Sequence, residues 1–322
     1  MGEHRLIDSM EAMKAVRVHE FGAPEVLTYE RAPRPEPSDD EVLVRVRAAG
    51  VNPVDCRLRR GRMTTMLSEN PFPLVLGMDV AGVVEETGAA VTGFERGDAV
   101  FGVNGFPEFG AYAEYATTTA DQLAPKPETL DFTEAAGVPV VAQTAWQALF
   151  EYANCTTDKR ILVHGAAGGV GHIAVQLAKW KGAEVVATAS GYSEEYLREL
   201  GVDEFVNYRE EDFESVVDPV DIVVDTVGGD VQQRSVEVLD ENGVLVSVVG
   251  QPPKGVGETR SIAVKAVSGR SSHPSLLATI DEIIDAGELR PTISAEIPLA
   301  EASRAHEIVE TEHVRGKLVL EA

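Results

Sequence analysis

Three glycines spaced three residues apart, Gly165, Gly168 and Gly171, lie between an apolar run and a helical pattern. The run "RILVHG" is typical of a buried strand, and "IAVQLAKW" has apolar residues at helical spacing. Such glycines permit a tight turn, close backbone approach to a phosphate, and packing of the helix against the strand. The helix N-terminus offers free N–H groups to a pyrophosphate. The stretch predicts a dinucleotide-binding loop; the alternative is a glycine-rich turn without a ligand.

The end of the next strand, "EVVATA", bears on the choice of cofactor. NAD-binding folds place an acid about 20 residues beyond the loop to hold the ribose 2′-hydroxyl, but this chain has Ala189 and Ser190 there. No acid repels a 2′-phosphate and Ser190 can donate to one, so we expect NADPH rather than NADH. Tyr208 is either a contact of that phosphate or adenine, or a strand-end tyrosine. Arg198 and Arg209 are candidate positive charges, although a solvated surface suits each of them better.

Two more strands end at glycines, in "VDTVGG" and "VSVVG". Ligands of open α/β sheets lie outside the carboxyl ends of the strands, so residues there are expected beside the cofactor. Asp225 equally suits a helix cap. The cofactor-binding residues predicted in this domain are Gly165, Ala166, Gly168, Gly169, Val170, Gly171, Ser190, Tyr208, Asp225, Val227 and Gly250.

The elements that must position these residues follow from the pattern along the chain. Residues 13 to about 125 alternate apolar and polar residues in short runs, which predicts a β body. From about 140 to 290, apolar strands alternate with helical stretches, which predicts a doubly wound parallel sheet. The tail is predicted to hold one helix and a last strand that returns to the β body. The predicted helices of the α/β part are 169–181, 193–200, 231–239 and 275–286.

Composition restricts the partners. The 322 residues include 53 acidic and 28 basic side chains, for a net charge of −25. This balance argues against nucleic acid and against an anionic membrane surface as partners. It favours a salt-adapted, halophilic source, because high ionic strength screens self-repulsion. No long apolar run predicts a membrane span. The two cysteines, Cys56 and Cys155, cannot form a disulfide framework, which suits a reducing cytoplasm.

Many motifs in order carry a family resemblance, among them "AAGVNPVDCRLRRG", "FPLVLGMDVAGVVEETG", "GAYAEYA", "HGAAGGVGHIAVQLAK" and "RGKLVL". From about Met13 to its end, the chain resembles the zinc-independent medium-chain dehydrogenase/reductases, in the quinone and alkenal/one oxidoreductase branch. The resemblance implies a GroES-like β domain (13–138 and 292–322) split around a Rossmann domain (139–291), after an extension over 1–12. It also implies NADPH, often a homodimer, and hydride transfer to quinones or to the C=C bond of α,β-unsaturated carbonyls.

The resemblance also assigns residues. Asn52 and Thr144 are expected near the nicotinamide carboxamide or the substrate oxygen as the catalytic residues, and Lys317 is expected among the cofactor-binding residues. No metal is expected, because Asn52 stands where zinc-dependent relatives have a cysteine, and Met78 and Asp79 replace the last two residues of their "GHE".

The chain also departs from its relatives. Arg57 stands where some quinone reductases carry a tyrosine, and a phosphate-gripping lysine is absent after "ATAS". The "RLRR" cluster at 57–60 suits an anionic substrate or surface ion pairs, with ion pairs favoured. His172 is a conceivable base, although local packing suits it better, and the proton donor is unassigned. Two alternatives stay open: a zinc-free carbonyl or alcohol oxidoreductase, and an NADPH-binding protein without turnover.

Overall fold

A computed structural model describes residues 12–69, 71–105, 109–257, 262–267 and 274–322. The predicted extension, residues 1–12, lies outside these ranges except for Ala12, which begins the first strand. The chain divides into two compact units. Unit 1 comprises residues 1–140, 273–285 and 292–322, and unit 2 comprises 141–272 and 286–291.

The strands are rich in valine and alternate with loops that carry glycine and proline. In chain order they are β1 Ala12–Val18, β2 Leu27–Pro33, β3 Glu41–Val51, β4 Leu74–Val75, β5 Asp79–Thr87, β6 Ala99–Val103, β7 Tyr115–Thr119, β8 Leu123–Pro125, β9 Arg160–His164, β10 Glu184–Ala189, β11 Glu204–Asn207, β12 Val220–Asp225, β13 Leu239–Ser247, β14 Ala263–Ala266, β15 Ile293–Pro298 and β16 Lys317–Glu321.

The helices are mostly short. They are α1 Pro53–Arg59, α2 Phe132–Ala136, α3 Pro139–Trp146 (which continues as a π-helix over Gln147–Tyr152), α4 Gly169–Trp180, α5 Glu194–Glu199, α6 Phe213–Val216, α7 Asp230–Ser235, α8 Pro274–Asp285 and α9 Ala302–Thr311. In the described part of the chain, no helix is both long and apolar enough to cross a membrane.

Unit 1 contains the β body. Its larger sheet has the order β15-β16-β3-β5-β6-β8, with β7 also paired to β3, and its smaller sheet has the order β2-β1-β4. The register pairs Gly50 with Asp79 and Val51 with Leu318. The end of β3 therefore lies beside the start of β5 and the start of β16. Residues at these three strand ends meet, although they lie far apart in the sequence.

Unit 2 contains a parallel sheet with the strand order β11-β10-β9-β12-β13-β14. Numbered within the sheet this is 3-2-1-4-5-6, the order of a Rossmann fold. Its central strands are buried, which explains why they are continuous apolar runs in the sequence. The predicted fold class, a β body combined with a doubly wound parallel sheet, is confirmed.

Several boundaries differ from the sequence prediction. The helix predicted over 231–239 ends at Ser235, because Val236 and Val238 enter the core and Leu239 pairs with Val220 as a strand. The prediction of the tail was also wrong in one respect: β15 precedes the tail helix. The last strand, β16, pairs with β15 in parallel and with β3 in antiparallel orientation, so it does return to the β body.

The helix α8 belongs to unit 1 by its contacts, whereas the sequence prediction included it in the Rossmann domain. Asp285 at its end accepts hydrogen bonds from the backbone N–H (3.1 Å) and the hydroxyl (2.7 Å) of Thr129, which follows β8. These bonds tie the end of α8 to the segment that follows β8, within unit 1.

Candidate functional site

The glycine turn of unit 2 (residues 165–171) connects β9 to α4. Gly165 has a positive φ of 64°, which favours glycine. A Cβ atom on Gly171 would lie 2.3 Å from the carbonyl oxygen of Gly165 and 2.7 Å from the Cα of Ala166. Since real Cβ atoms do not approach backbone this closely, Gly171 is required for the helix to pack against the turn, as its spacing predicts.

Gly168 differs from these two glycines. Its backbone is ordinary, with φ −78° and ψ −178°, and an added Cβ would meet only the Gly165 oxygen, at 3.4 Å. Neither the backbone nor the packing of the protein therefore requires a glycine here. The N–H groups of Gly169, Val170 and Gly171 lie in the first turn of α4, where no intrahelical acceptor exists. The turn thus fits a phosphate group that approaches the backbone at Gly168.

Apolar side chains are exposed just beyond three strand ends of unit 2. Tyr192 follows β10, Tyr208 follows β11 and Val227 follows β12, with exposed fractions of 53%, 46% and 55%. Ser190, between β10 and Tyr192, is buried and precedes a short 3-10 helix over Gly191–Ser193. The carboxyl edge of a parallel sheet is where ligands of such folds lie, so these side chains fit a bound ring system.

The two candidate arginines differ in their surroundings. Arg198 donates two hydrogen bonds to Glu194, one turn earlier in α5, at 2.9 and 3.0 Å. The Arg209 guanidinium lies 5.9 Å from the centre of the Tyr208 ring, and the Tyr208 hydroxyl raises the pKa of Arg209. Among the described residues, Arg209 forms no salt bridge with a carboxylate. Arg209 is thus better placed than Arg198 to receive a phosphate.

The carboxylate of Asp225 is buried, and groups of the following turn and helix donate hydrogen bonds to both of its oxygens. One oxygen accepts from the backbone N–H groups of Val227 (2.9 Å) and Gly228 (2.8 Å), and the other accepts from the Gln232 side chain (2.8 Å). This geometry favours the predicted alternative, in which Asp225 shapes the start of α7.

Gly250 has a φ of 134° and open space around its Cα. The predicted contacts of Asp225, Val227 and Gly250 with a cofactor stay predictions.

Two buried histidines of unit 2 have structural partners. The ring nitrogens of His164 lie 2.9 Å from the Thr188 hydroxyl and 3.0 Å from the Ser235 hydroxyl. Burial lowers the pKa of His164 to about 4, so the ring is neutral at pH 7. The Nδ1 atom of His172 lies 3.0 Å from the carbonyl oxygen of Gly168, which agrees with the local role favoured from the sequence.

Unit 1 holds a buried polar cluster of Asn52, Asp79 and Lys317, where β3, β5 and β16 meet. The Asn52 amide nitrogen donates to Asp79 at 2.8 Å, and its carbonyl oxygen accepts from Lys317 Nζ at 2.6 Å. Asp79 accepts in addition from Lys317 (3.1 Å) and from the backbone N–H of Val140 (2.7 Å). One Nδ2 proton of Asn52 has no acceptor in the described part of the chain. The cluster therefore fixes the amide and leaves it one donor.

Lys317 was predicted to bind the cofactor, and its geometry favours another role. Its ammonium group donates to the carbonyl oxygen of Val51 (3.0 Å), to Asn52 and to Asp79. An ammonium group has three protons, and all three are used. Lys317 is thus a positioning residue for Asn52, which its sequence position at the start of a strand could not reveal.

A second buried chain of polar groups adjoins the cluster in unit 1. Asp55 in α1 accepts from the Asn52 backbone N–H (2.9 Å) and the Tyr112 hydroxyl (3.1 Å), and His306 in α9 lies 3.3 Å from that hydroxyl. Burial raises the pKa of Asp55 to about 6 and lowers that of His306 to about 3. Sequence reasoning missed this chain, because three distant segments contribute to it.

The remaining catalytic candidate, Thr144, lies half-buried in α3 of unit 2.

The residues at the positions of zinc ligands in related enzymes do not fit that ion. Asn52 and Asp79 bind the ammonium of Lys317, Met78 packs in the core of unit 1, and no group of three potential metal ligands occurs within the described ranges. Zinc takes Cys, His and carboxylate donors, so the zinc-free chemistry stays our prediction.

Comparisons with known proteins agree with this architecture. The alcohol dehydrogenase GroES-like domain model matches residues 38–128, and the zinc-binding dehydrogenase model matches residues 200–320. The NADPH-dependent alkenal/one oxidoreductase of Arabidopsis thaliana is 34% identical, over 96% of this chain and 79% of its own. The quinone oxidoreductase of Sus scrofa is 33% identical, over 96% of this chain and 97% of its own.

Solved structures give the same result. The quinone oxidoreductase of Coxiella burnetii superposes with a TM-score of 0.89 at 38% identity, covering 97% of this chain and 100% of its own. The Escherichia coli quinone oxidoreductase in complex with NADPH superposes with a TM-score of 0.87 at 28% identity, covering 96% and 100%. The chain therefore belongs to the medium-chain dehydrogenase/reductase superfamily, in its quinone and alkenal/one oxidoreductase branch.

Proposed function

We propose that this protein is an NADPH-dependent oxidoreductase that transfers hydride to quinones or to the C=C bond of α,β-unsaturated carbonyl compounds, without zinc. The observation that carries the proposal is the glycine turn, where a Cβ added to Gly168 would meet only the Gly165 oxygen and the backbone leaves room for a phosphate. The names of the relatives support the acceptor class, since they are alkenal/one and quinone oxidoreductases.

The nicotinamide ring, when bound, supplies the hydride, and the protein must hold the acceptor in line with it. Asn52 suits the acceptor oxygen, because its amide keeps one donor and is fixed by Asp79 and Lys317. A neutral donor of this kind stabilises negative charge that develops on an enolate or quinol oxygen. We propose Thr144 as the second hydrogen-bonding group of the reaction, on the family resemblance alone.

The preference for NADPH is supported by the residues beyond β10 and β11. No acidic side chain stands at Ala189 or Ser190, and Arg209 supplies a positive charge without a carboxylate partner among the described residues. We propose that Ser190, Tyr208 and Arg209 bind the 2′-phosphate. Arg209 would thereby replace the lysine that this chain lacks.

Steady-state assays with a 2-alkenal and a quinone test the reaction. We expect NADPH consumption with both acceptors, and a saturated aldehyde as the product from the alkenal. An unsaturated alcohol as the product would instead identify a carbonyl reductase. Tight NADPH binding without turnover on either acceptor would identify a binding protein.

Cofactor choice is tested with two matched variants. Arg209→Gln should raise the KM for NADPH about tenfold, as expected for a lost charge-assisted hydrogen bond, with little change in the KM for NADH. Arg198→Gln is the control, because its guanidinium already binds Glu194. Equal effects of Arg209→Gln on both cofactors would refute the assignment of Arg209 to the 2′-phosphate.

We also propose adaptation to high salt and assembly as a homodimer. The net charge of −25 supports the first, since salt screens the repulsion between acidic side chains. The second rests on family resemblance. Thermal unfolding in low and in molar salt tests the first proposal, and light scattering tests the second. Unchanged stability between the two salt conditions would refute the adaptation to salt.

A further inference from the structure

A cavity of about 160 Å³ in unit 1 is lined by three arginine side chains, Arg57, Arg60 and Arg62, together with Glu310 of α9. We call it the arginine pocket. Pro53 and Cys56 complete its wall on the side of α1. Its volume accommodates several water molecules or one carboxylate or phosphate group.

The turn after α1 builds the pocket. Gly61 adopts a φ of 70°, a conformation that favours glycine. Its N–H donates to the carbonyl oxygen of Leu58 (2.8 Å), and the N–H of Arg62 donates to the carbonyl oxygen of Arg57 (2.9 Å). The chain therefore reverses after α1 and returns Arg62 to the neighbourhood of Arg57.

Only part of the positive charge at the pocket is neutralised. The Glu310 carboxylate accepts from Arg59 at 2.5 Å and from Arg60 at 2.8 Å, so both of its oxygens are used. Arg57 and Arg62 are exposed, and neither forms a salt bridge within the described residues. The sequence favoured ion pairs for the whole "RLRR" cluster. Arg59 and Arg60 do form ion pairs, with Glu310, whereas Arg57 forms none within the described residues.

Cys56 does not oppose an anion. Burial and the nearby Asp55 raise the pKa of its thiol to about 12, so it is uncharged and unreactive at pH 7. Three arginine side chains thus line the pocket beside one carboxylate that is already bound by Arg59 and Arg60, in a protein with nearly twice as many acidic as basic residues. Such a pocket attracts an anion, and its one carboxylate repels that anion little because arginines already bind it.

The position of the pocket relates it to the proposed chemistry. Pro53 directly follows Asn52, and Arg57 stands about one helical turn further along α1, roughly 6 Å along its axis. Asn52 is the N-cap of α1, and Pro53, Cys56 and Arg57 of the same helix line the pocket, so one short helix carries both the proposed contact of the acceptor oxygen and a wall of the pocket.

We propose that the arginine pocket binds the anionic group, a carboxylate or phosphate, of a short acceptor substrate, so that enones bearing such a group are preferred substrates. This assignment rests on the proposed function for the identity of the acceptor. The binding of an anion at the pocket does not, and can be measured without turnover.

The kinetic test compares 4-oxo-2-pentenoate with its methyl ester, which differ in one charge. In the double variant Arg57→Gln/Arg62→Gln, the ratio of kcat/KM for the acid to that for the ester should fall at least tenfold. Arg47→Gln, an exposed arginine on β3 outside the pocket, is the matched control and should keep the ratio. An unchanged ratio in the double variant would overturn the proposal.

Calorimetric titration of the cofactor-free protein with 4-oxopentanoate and with inorganic phosphate tests the pocket itself. We expect both anions to bind, to compete, and to lose affinity in the double variant but not in Arg47→Gln. Binding of phosphate that is lost in the variant, with no change in the acid-to-ester ratio, would mean a free-anion site and would overturn the substrate assignment. Anion binding that is lost in the variant, with no acceptor reduced, supports the pocket and refutes the proposed function alone.

Discussion

The glycine turn of unit 2 and the Asn52–Asp79–Lys317 cluster of unit 1 reach their order in opposite ways. The turn is one continuous stretch, and its shape depends on the absence of Cβ atoms at Gly165 and Gly171. The cluster combines three residues from 52 to 317, and its order depends on charged side chains that satisfy one another. One region is fixed by backbone geometry and the other by buried electrostatics.

The difference has a practical consequence. A backbone turn fails when atoms are added to it, whereas a buried charge cluster fails when a partner is removed. Substitutions that add or remove single groups should therefore separate the two regions.

The largest effect is expected when Lys317 is replaced. Lys317→Met keeps the length of the side chain but leaves Asp79 buried without its cationic partner, which should lower the free energy of unfolding by about 3–5 kcal/mol. Release of Asn52 should also lower kcat, because the amide loses its orienting donor. Urea unfolding and steady-state kinetics measure the two effects.

The control for Lys317 is an exposed pair. Lys179→Met removes a similar contact to Asp203, at 2.7 Å on the surface of unit 2, and should cost no more than about 1 kcal/mol. Adding Asp79→Asn to Lys317→Met should recover part of the loss, since no unpaired charge is left. Equal costs for Lys317→Met and Lys179→Met would contradict our account of the cluster.

The next effect concerns two glycines of the same turn. Gly171→Ala should lower the free energy of unfolding by about 3 kcal/mol, because its Cβ would overlap the backbone of Gly165 and Ala166. Gly168→Ala should change stability little but raise the dissociation constant for NADPH about tenfold, since its Cβ enters the space assigned to phosphate. Thermal unfolding and fluorescence titration with NADPH distinguish the two. Unchanged NADPH affinity in Gly168→Ala would remove the main support for that site.

The smallest effect is a pH dependence in unit 1. The pKa of Asp55 is raised from 3.8 to about 6 in the folded protein, so the folded state holds this proton more tightly than the unfolded state. The contribution of Asp55 to stability is therefore greatest below about pH 4 and falls until about pH 6. Asp55→Asn cannot ionise, so its stability relative to the wild type should rise over this interval by about 2–3 kcal/mol. Parallel stability curves for both proteins would contradict the raised pKa.

Local patterns predicted those parts of the molecule that depend on few neighbours. The strand, turn and helix around Gly165 were correct, because period and glycine spacing act within about 20 residues. Predicted boundaries were wrong where tertiary contacts determine the structure. Val236 and Val238 pack in the core instead of continuing the predicted helix, and β15 pairs with β16. The hydrogen bonds of Lys317 to Asn52 and Asp79 were also not predicted, because a single lysine carries no pattern.

The sequence by itself determined the alternation of strands and helices in unit 2, the missing acid at Ser190 and the excess of negative charge, since each is written in neighbouring residues or in composition. Only the tertiary structure decided which charges meet. The register of β3 with β5 and β16 brings Lys317 and Asp79 to Asn52. Glu310 forms salt bridges with Arg59 and Arg60, whereas Arg57 has no such partner among the described residues. Partners of buried charges are chosen by chain topology, and topology joins residues that no local pattern relates.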